Sequence, residues 1–117
     1  MAAVHRITAG SDYRDTVRRG RRVGGRLIAA HAVFHVSRET SPARFGYIIT
    51  KAVGNAVTRN RVRRRLKSIS DEVIREGFTG VDVVLRAHPA AASASFADLN
   101  EEVRQLVKRI TSLAPRR

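Results

Sequence analysis

The sequence predicts an α+β sandwich, with elements in the order αβββαβα and helices packed on a sheet. Three observations carry that expectation. Residues 21–50 hold runs of β-branched, aromatic and small residues that alternate with period two. Residues 62–73 and 96–113 place apolar side chains at helical spacing, and "VDVVLRA" (81–87) is nearly continuous apolar sequence.

In chain order, Ser11 reads as the N-cap of a short helix, "DYRDTVRR", ended by Gly20. "RRVGGRLIAAHAVFHV" follows as a short and a longer strand, with Gly24-Gly25 as the bend between them. Alternation in the longer strand sets Ile28, Ala30, Ala32, Phe34 and Val36 on one face, and Ala29, His31, Val33 and His35 on the other. "SRETSPA" reads as a loop, and "RFGYIIT" as a strand with Phe45, Tyr47 and Ile49 on one face. A charged helix is expected from near Thr58 to Glu76, stopped by Gly77. "VDVVLRA" suits an interior strand that ends before Pro89, and "AAASAS" a connector. Ser95 then caps a last helix, with Asp98 in the capping-box position and a stripe of Phe96, Leu99, Val103, Leu106, Val107, Ile110 and Leu113.

Charge narrows the function. The 117 residues carry a net charge of +13, and of 23 basic residues only Lys51, Lys67 and Lys108 are lysine. Repulsion on that scale destabilises a compact chain standing alone, so a polyanionic partner is expected. Arginine favours planar, bidentate contact with phosphate oxygens. No apolar run reaches the ~18 residues of a membrane span or the form of a signal peptide, and there is no cysteine. The expectation is a cytoplasmic protein with neither membrane nor DNA as partner. A DNA-reading helix would follow another helix across a short turn, whereas the charged helix here follows a strand.

That helix concentrates the charge. Six of the nine residues from Arg59 to Lys67 are cationic. On a helical wheel Val62, Leu66, Ile69 and Val73 fall within about 60° of one another. Asn60, Arg63, Arg64 and Lys67 gather opposite, while Arg61 and Arg65 flank one edge of the stripe and Arg59 the other. A merely solvated face interleaves acids with bases, yet Glu39 is the one acid between Asp15 and Asp71. Phosphate would offset the repulsion.

The run and its lead-in, "KAVGNAVTRNRVRRRLK", resemble the RNR motif of the bacterial ribonuclease P protein family. The match falls on Lys51, Gly54, Ala56, Val57, Arg59, Asn60, Arg63, Arg64 and Lys67, with two charge-conserving departures, at Arg63 and Lys67. The resemblance covers nearly the whole chain and implies one domain over residues 1–117. It implies a mixed four-stranded sheet with a left-handed βαβ crossover, against the usual hand, in a module also met in ribosomal proteins. The function implied is that of the protein subunit of ribonuclease P. Such a subunit binds ribonuclease P RNA and the 5′ leader of precursor tRNA, while cleavage belongs to the RNA and to Mg²⁺ held mainly by it.

By the same resemblance, Lys51, Asn55, Arg59, Asn60, Arg61, Arg63, Arg64 and Lys67 would contact RNA. Tyr13, Val17 and His31 would line a leader cleft, where Val17 stands in place of a frequent second aromatic. Arg18, Arg19, Arg21, Arg22 and Arg26 form a second basic patch able to track phosphates beside that cleft. Arg86 and His88 stand too isolated in sequence to assign. The carboxylates and histidines form no Ser-His-Asp set and no evident metal cage, so no catalytic or metal-binding residue is expected in the protein itself. The rival reading, a ribosomal or general RNA-binding structural protein, fits the composition equally well but gives no reason for the RNR spacing.

Overall fold

The computed structural model describes Ile7 and residues 10–115, with Ser11 and Asp12 described by backbone alone. Its principal elements are α1 (Gly10–Arg19), β1 (Arg21–Gly24), β2 (Ile28–Phe34), β3 (Arg44–Ile48), α2 (Ala56–Arg75), β4 (Val81–Ala87) and α3 (Phe96–Ser112). Short 3-10 turns at Val36–Arg38 and Pro89–Ser93 occupy two of the connections. The order αβββαβα is therefore the observed one.

The strands form one mixed sheet in the order β1-β2-β4-β3. β1 pairs antiparallel with β2, β2 antiparallel with β4, and β4 parallel with β3. A parallel pair needs a crossover, and α2 supplies it between β3 and β4. β4 has a neighbour on each side and is largely covered on both faces, which accounts for its nearly continuous apolar run.

The core lies on one face of the sheet. Val23, Ala30, Ala32, Phe45, Val83 and Leu85 meet the stripe of α2 (Val62, Leu66, Ile69, Val73) and that of α3 (Leu99, Val103, Leu106, Ile110). Each fully buried Leu, Ile or Val there contributes about 1.5–3 kcal/mol. α1 lies on the opposite face, its Tyr13 ring against the backbone of Gly46. A Cβ at residue 46 would stand 2.5 Å from Tyr13 Cζ, so only glycine admits the ring so close.

Several boundaries differ from expectation. α2 starts at Ala56, not near Thr58, because the Asn55 side chain accepts the Thr58 N–H at 2.9 Å and caps the helix. It ends at Arg75, with Glu76 as C-cap and Gly77 beyond it at φ +105°, a conformation glycine tolerates. α1 starts at Gly10, which puts Ser11 inside the first turn instead of at the cap; its side chain lies outside the described residues. Val36 leaves the core face: β2 ends at Phe34, paired to the first residue of β4, and Val36 turns outward at 75% exposure. Phe96, the first residue of α3, is also outside the core, at 40% exposure. Ser95 caps α3 as expected, accepting the Asp98 N–H at 3.0 Å.

Candidate nucleic-acid interface

α2 is 20 residues long, about 30 Å of helix. Its apolar stripe is buried, and Ser70 joins it by returning its hydroxyl to the Leu66 carbonyl at 2.7 Å. That burial fixes the rotation of the helix and turns the opposite side to solvent. Asn60 and Arg64 are exposed, and Arg63 and Lys67 are half-exposed. Arg63 Nη1 donates to Asn60 Oδ1 at 3.1 Å, which aligns the two side chains. Among the described residues, none of Arg59, Arg63, Arg64 and Lys67 pairs with a carboxylate.

The edges of the stripe behave differently. Arg61 donates to the Ala92 carbonyl at 3.2 Å and Arg65 to the Ala94 carbonyl at 2.9 Å, tying α2 to the turn before α3. Arg61 therefore has a structural bond beside any contact with RNA. On the other edge Arg59 is half-buried, and its Nε is buried without a partner among the described residues. An unsatisfied donor on a cation is costly unless an acceptor arrives from outside. Asn55 is exposed but its amide oxygen is held by the cap, and Lys51 is exposed in the turn before the helix.

A groove of about 420 Å³ lies between α1 and the end of β3, lined by Tyr13, Arg14, Val17, Arg18 and Ile48. It brings together two of the three cleft residues expected from sequence. Tyr13 is half-buried, its hydroxyl accepting the Tyr47 N–H at 3.3 Å. Val17 is half-buried in the groove wall. His31 is on the same face of the sheet but only 9% exposed, and does not line the groove directly. Burial, then the charges of Arg22 and Arg86, hold the His31 pKa below its ordinary value, so the ring is neutral at neutral pH. Its Nδ1 is buried with no partner among the described residues. Ile48 leads through the Lys51 turn directly into α2, so groove and basic helix adjoin.

The second basic patch is on the surface. Arg18 and Arg19 end α1, where cations complement the helix dipole, Arg21 and Arg22 open β1, and Arg26 lies in the β1–β2 turn, all exposed. Sequence reasoning missed Arg86. It pairs in register with Ala29 and Ile48, which sets it on the α1 face of the sheet beside the groove. Only the strand register could have revealed that neighbourhood.

Two acids also do more than sequence indicated. Glu102 of α3 accepts the backbone N–H groups of Arg26, Leu27 and Ile28 at 3.0, 2.7 and 2.6 Å, closing the β1–β2 turn. Its helix-dipole role is minor beside that. Asp82, 2% exposed, takes Arg44 in a fork at 2.9 and 2.6 Å, with Arg38 at 3.2 Å and His35 at 3.0 Å. Burial works to raise the Asp82 pKa, but the Arg44 hydrogen bonds and charge, aided by Arg38 and His35, bring it below the ordinary carboxylate value. Arg104 joins α3 to Glu72 and Glu76 of α2 at 3.0 and 2.7 Å.

Among the described residues no group of three or more His, Asp or Glu could hold a metal ion, and no helix is long and apolar enough to cross a membrane. A larger, apolar groove of about 620 Å³, lined in part by Phe34, Val73, Phe78 and Val107, contains none of the site residues expected from sequence.

Fold and surface together define a class: an α+β protein with a strongly basic face on its crossover helix and a groove beside it. Comparison with known proteins makes this specific. The family model described as Ribonuclease P matches residues 1–111. The chain is 43% identical over 115 residues to the ribonuclease P protein component of Rhodococcus opacus, covering 95% of this chain and 92% of that protein. It is 36% identical over 110 residues to that of a Nocardioides species, covering 94% of each. The fold is similar to the solved ribonuclease P protein of Staphylococcus aureus (TM-score 0.75, 20% identity, 91% of this chain and 94% of that one). It is similar also to that of Thermotoga maritima (TM-score 0.78, 18% identity, 89% and 96%). The chain belongs to the ribonuclease P protein family, the protein component of an endoribonuclease with a ribonuclease P RNA as its partner. These relatives do not favour the ribosomal or general RNA-binding alternative.

Proposed function

We propose that the outer face of α2 docks on ribonuclease P RNA and that the α1–β3 groove receives the 5′ leader of precursor tRNA. The observation that carries this reading is the unpaired charge of α2. Among the described residues, Arg59, Arg63, Arg64 and Lys67 share one helix without a carboxylate partner, and Arg59 keeps a buried donor unsatisfied. RNA phosphates supply both the acceptor and the counter-charge. Lys51, Asn60 and the exposed side of Arg61 extend the same contact, and Asn55 contributes by setting where the helix begins. Tyr13, with Val17 beside it, offers the leader a stacking wall. His31 lies buried on the same face of the sheet without lining the groove, and Arg18, Arg19, Arg21, Arg22 and Arg26 track phosphates at the rim.

The whole chain, residues 1–117, works as one domain in the cytoplasm, with neither DNA nor membrane as partner. The donor set described here does not fit a metal cage. By likeness to its family, Mg²⁺ is assigned to the RNA subunit, which carries the cleavage. The protein's part is to orient the substrate and to offset phosphate repulsion between two RNAs. Reconstitution tests this. Added to ribonuclease P RNA at low Mg²⁺, the protein should make cleavage of precursor tRNA efficient, and no single Asp, Glu or His substitution should abolish turnover while assembly persists. Cleavage by the protein alone, or loss of turnover from one acidic substitution in a fully assembled particle, would overturn this division of labour.

A further inference from the structure

The larger groove lies at the end of α2 away from its basic half. It opens where β2 ends at Phe34 and where the chain enters β4 through Phe78, Thr79 and Gly80. Val73 of α2 and Val107 of α3 line it from the helix side, so it is a gap at the margin of the core. Val36, 75% exposed, adds apolar surface to its lining. Its volume of about 620 Å³ falls in the range of small-ligand sites, ~300–1,000 Å³. Glu76, in its wall, is about 20 Å along the helix from Arg63. The groove is therefore separate from the surfaces assigned to RNA.

Its charge is the reverse of the chain's. In a protein of net charge +13, Glu39 and Glu76 line the groove and, among the described residues, no Lys or Arg does. Two helices also bring their carbonyl ends to it, α2 through Glu76 and Gly77, α3 through Thr111 and Ala114. Each such end carries about half a negative charge. Arg104 donates to Glu76 Oε1 at 2.7 Å, and that bond holds the carboxyl below its ordinary range; Oε2 has no partner among the described residues. His35 is tied through Nε2 to Asp82 at 3.0 Å.

We propose that this groove binds a small amphiphilic cation, an ammonium or amidinium group carried on a flat apolar body. The apolar body displaces water from Phe34, Val73, Phe78 and Val107. The cation meets Glu39, Glu76 and the two helix ends, and a phenylalanine ring also attracts a cation over its face. An anionic ligand of the same shape is repelled. The site uses none of the residues assigned to RNA, so it stands or falls independently of that reading.

The test titrates the full chain with three ligands of matched shape: naphthylmethylammonium, naphthylmethanol and naphthoate. The cation should move the amide signals of Val36, Thr79 and Thr111 and raise the melting temperature, because it binds the folded chain alone. It should bind about tenfold more tightly than the neutral alcohol, and naphthoate should bind least. A Glu39→Gln/Glu76→Gln double variant should take cation and alcohol alike. Thr111→Trp, at an exposed position in the lining, fills the groove; it should abolish binding and leave affinity for ribonuclease P RNA unchanged. Equal binding of the three ligands by the unaltered protein would overturn the charge argument. No binding, or shifts confined to other residues, would overturn the site. If the cation binds only after Arg116 and Arg117 are removed, the chain's own basic tail is the occupant and the proposal falls.

Discussion

Removing the Glu102 carboxylate should unsettle the β1–β2 turn from a distance. Glu102→Ala deprives three consecutive N–H groups, those of Arg26, Leu27 and Ile28, of their acceptor. Arg26 is exposed, so water can replace the carboxylate there, but Leu27 and Ile28 are fully buried residues. Leaving a buried donor unsatisfied costs ~1–3 kcal/mol, and bonds to a charged acceptor are the stronger kind. Two such donors with partial water access give a loss of about 2–4 kcal/mol. For a domain of this size that lowers the melting temperature by about 10–15 °C. Glu102→Gln keeps one acceptor oxygen and should lose about half as much. Glu101→Ala, an exposed neighbour whose one described bond is a 3.5 Å contact from Gln105, should stay within about 0.5 kcal/mol. Urea unfolding, read by circular dichroism, measures all three variants. A Glu102→Ala protein as stable as the Glu101→Ala one would refute the reasoning and leave the turn held by its own hairpin.

Asp82 gives a pH-dependent counterpart. Its pKa is lowered in the folded chain, so its contribution is fully present above the ordinary carboxylate value of 3.8 and is lost as pH falls through the folded value. Asp82→Asn, which removes the carboxylate shared by Arg38, Arg44 and His35, should cost ~3–5 kcal/mol at neutral pH, and the gap to the unaltered protein should narrow in acid; a gap independent of pH would contradict this. In the groove, Tyr13→Ala should weaken binding of precursor tRNA by ~1–3 kcal/mol and leave mature tRNA unchanged, as competition binding can show. Equal losses for both would make Tyr13 a packing residue that only anchors α1 to β3.

Legibility of the sequence followed the range of the interaction. The stripe Val62, Leu66, Ile69, Val73 is a local, periodic signal and appears in the structure at the rotation expected. The start of α2 was harder, because Asn55 and Thr58 both favour caps, and the choice depends on which side chain reaches an N–H three residues on. Val36 continues the alternation of β2 in sequence, but after Phe34–Val81 and one further bond from the His35 N–H to the Gly80 carbonyl the chain enters the Val36–Arg38 turn, so the ladder stops. Phe96 fits the α3 wheel, yet at the first helical position it lies beyond the packed sheet. Glu102 and Asp82 look like solvated acids until strands distant in sequence bring their donors to them. Arg86 comes to lie beside the groove through register alone. On the basic helix, the wheel placed Arg61 and Arg65 at the edge of the stripe, but not their turn inward to the Ala92 and Ala94 carbonyls, since an edge position permits either direction.

The central claim is that the outer face of α2 is a docking surface for ribonuclease P RNA. Its most direct test is the affinity of an Arg63→Ala/Arg64→Ala double variant for that RNA across a range of salt concentrations. Both side chains lie off the buried stripe, so unfolding should be unchanged. Binding should weaken by ~1–3 kcal/mol, with a shallower dependence of affinity on salt because fewer counterions are released. Unchanged affinity and an unchanged salt slope would take this face out of the RNA contact.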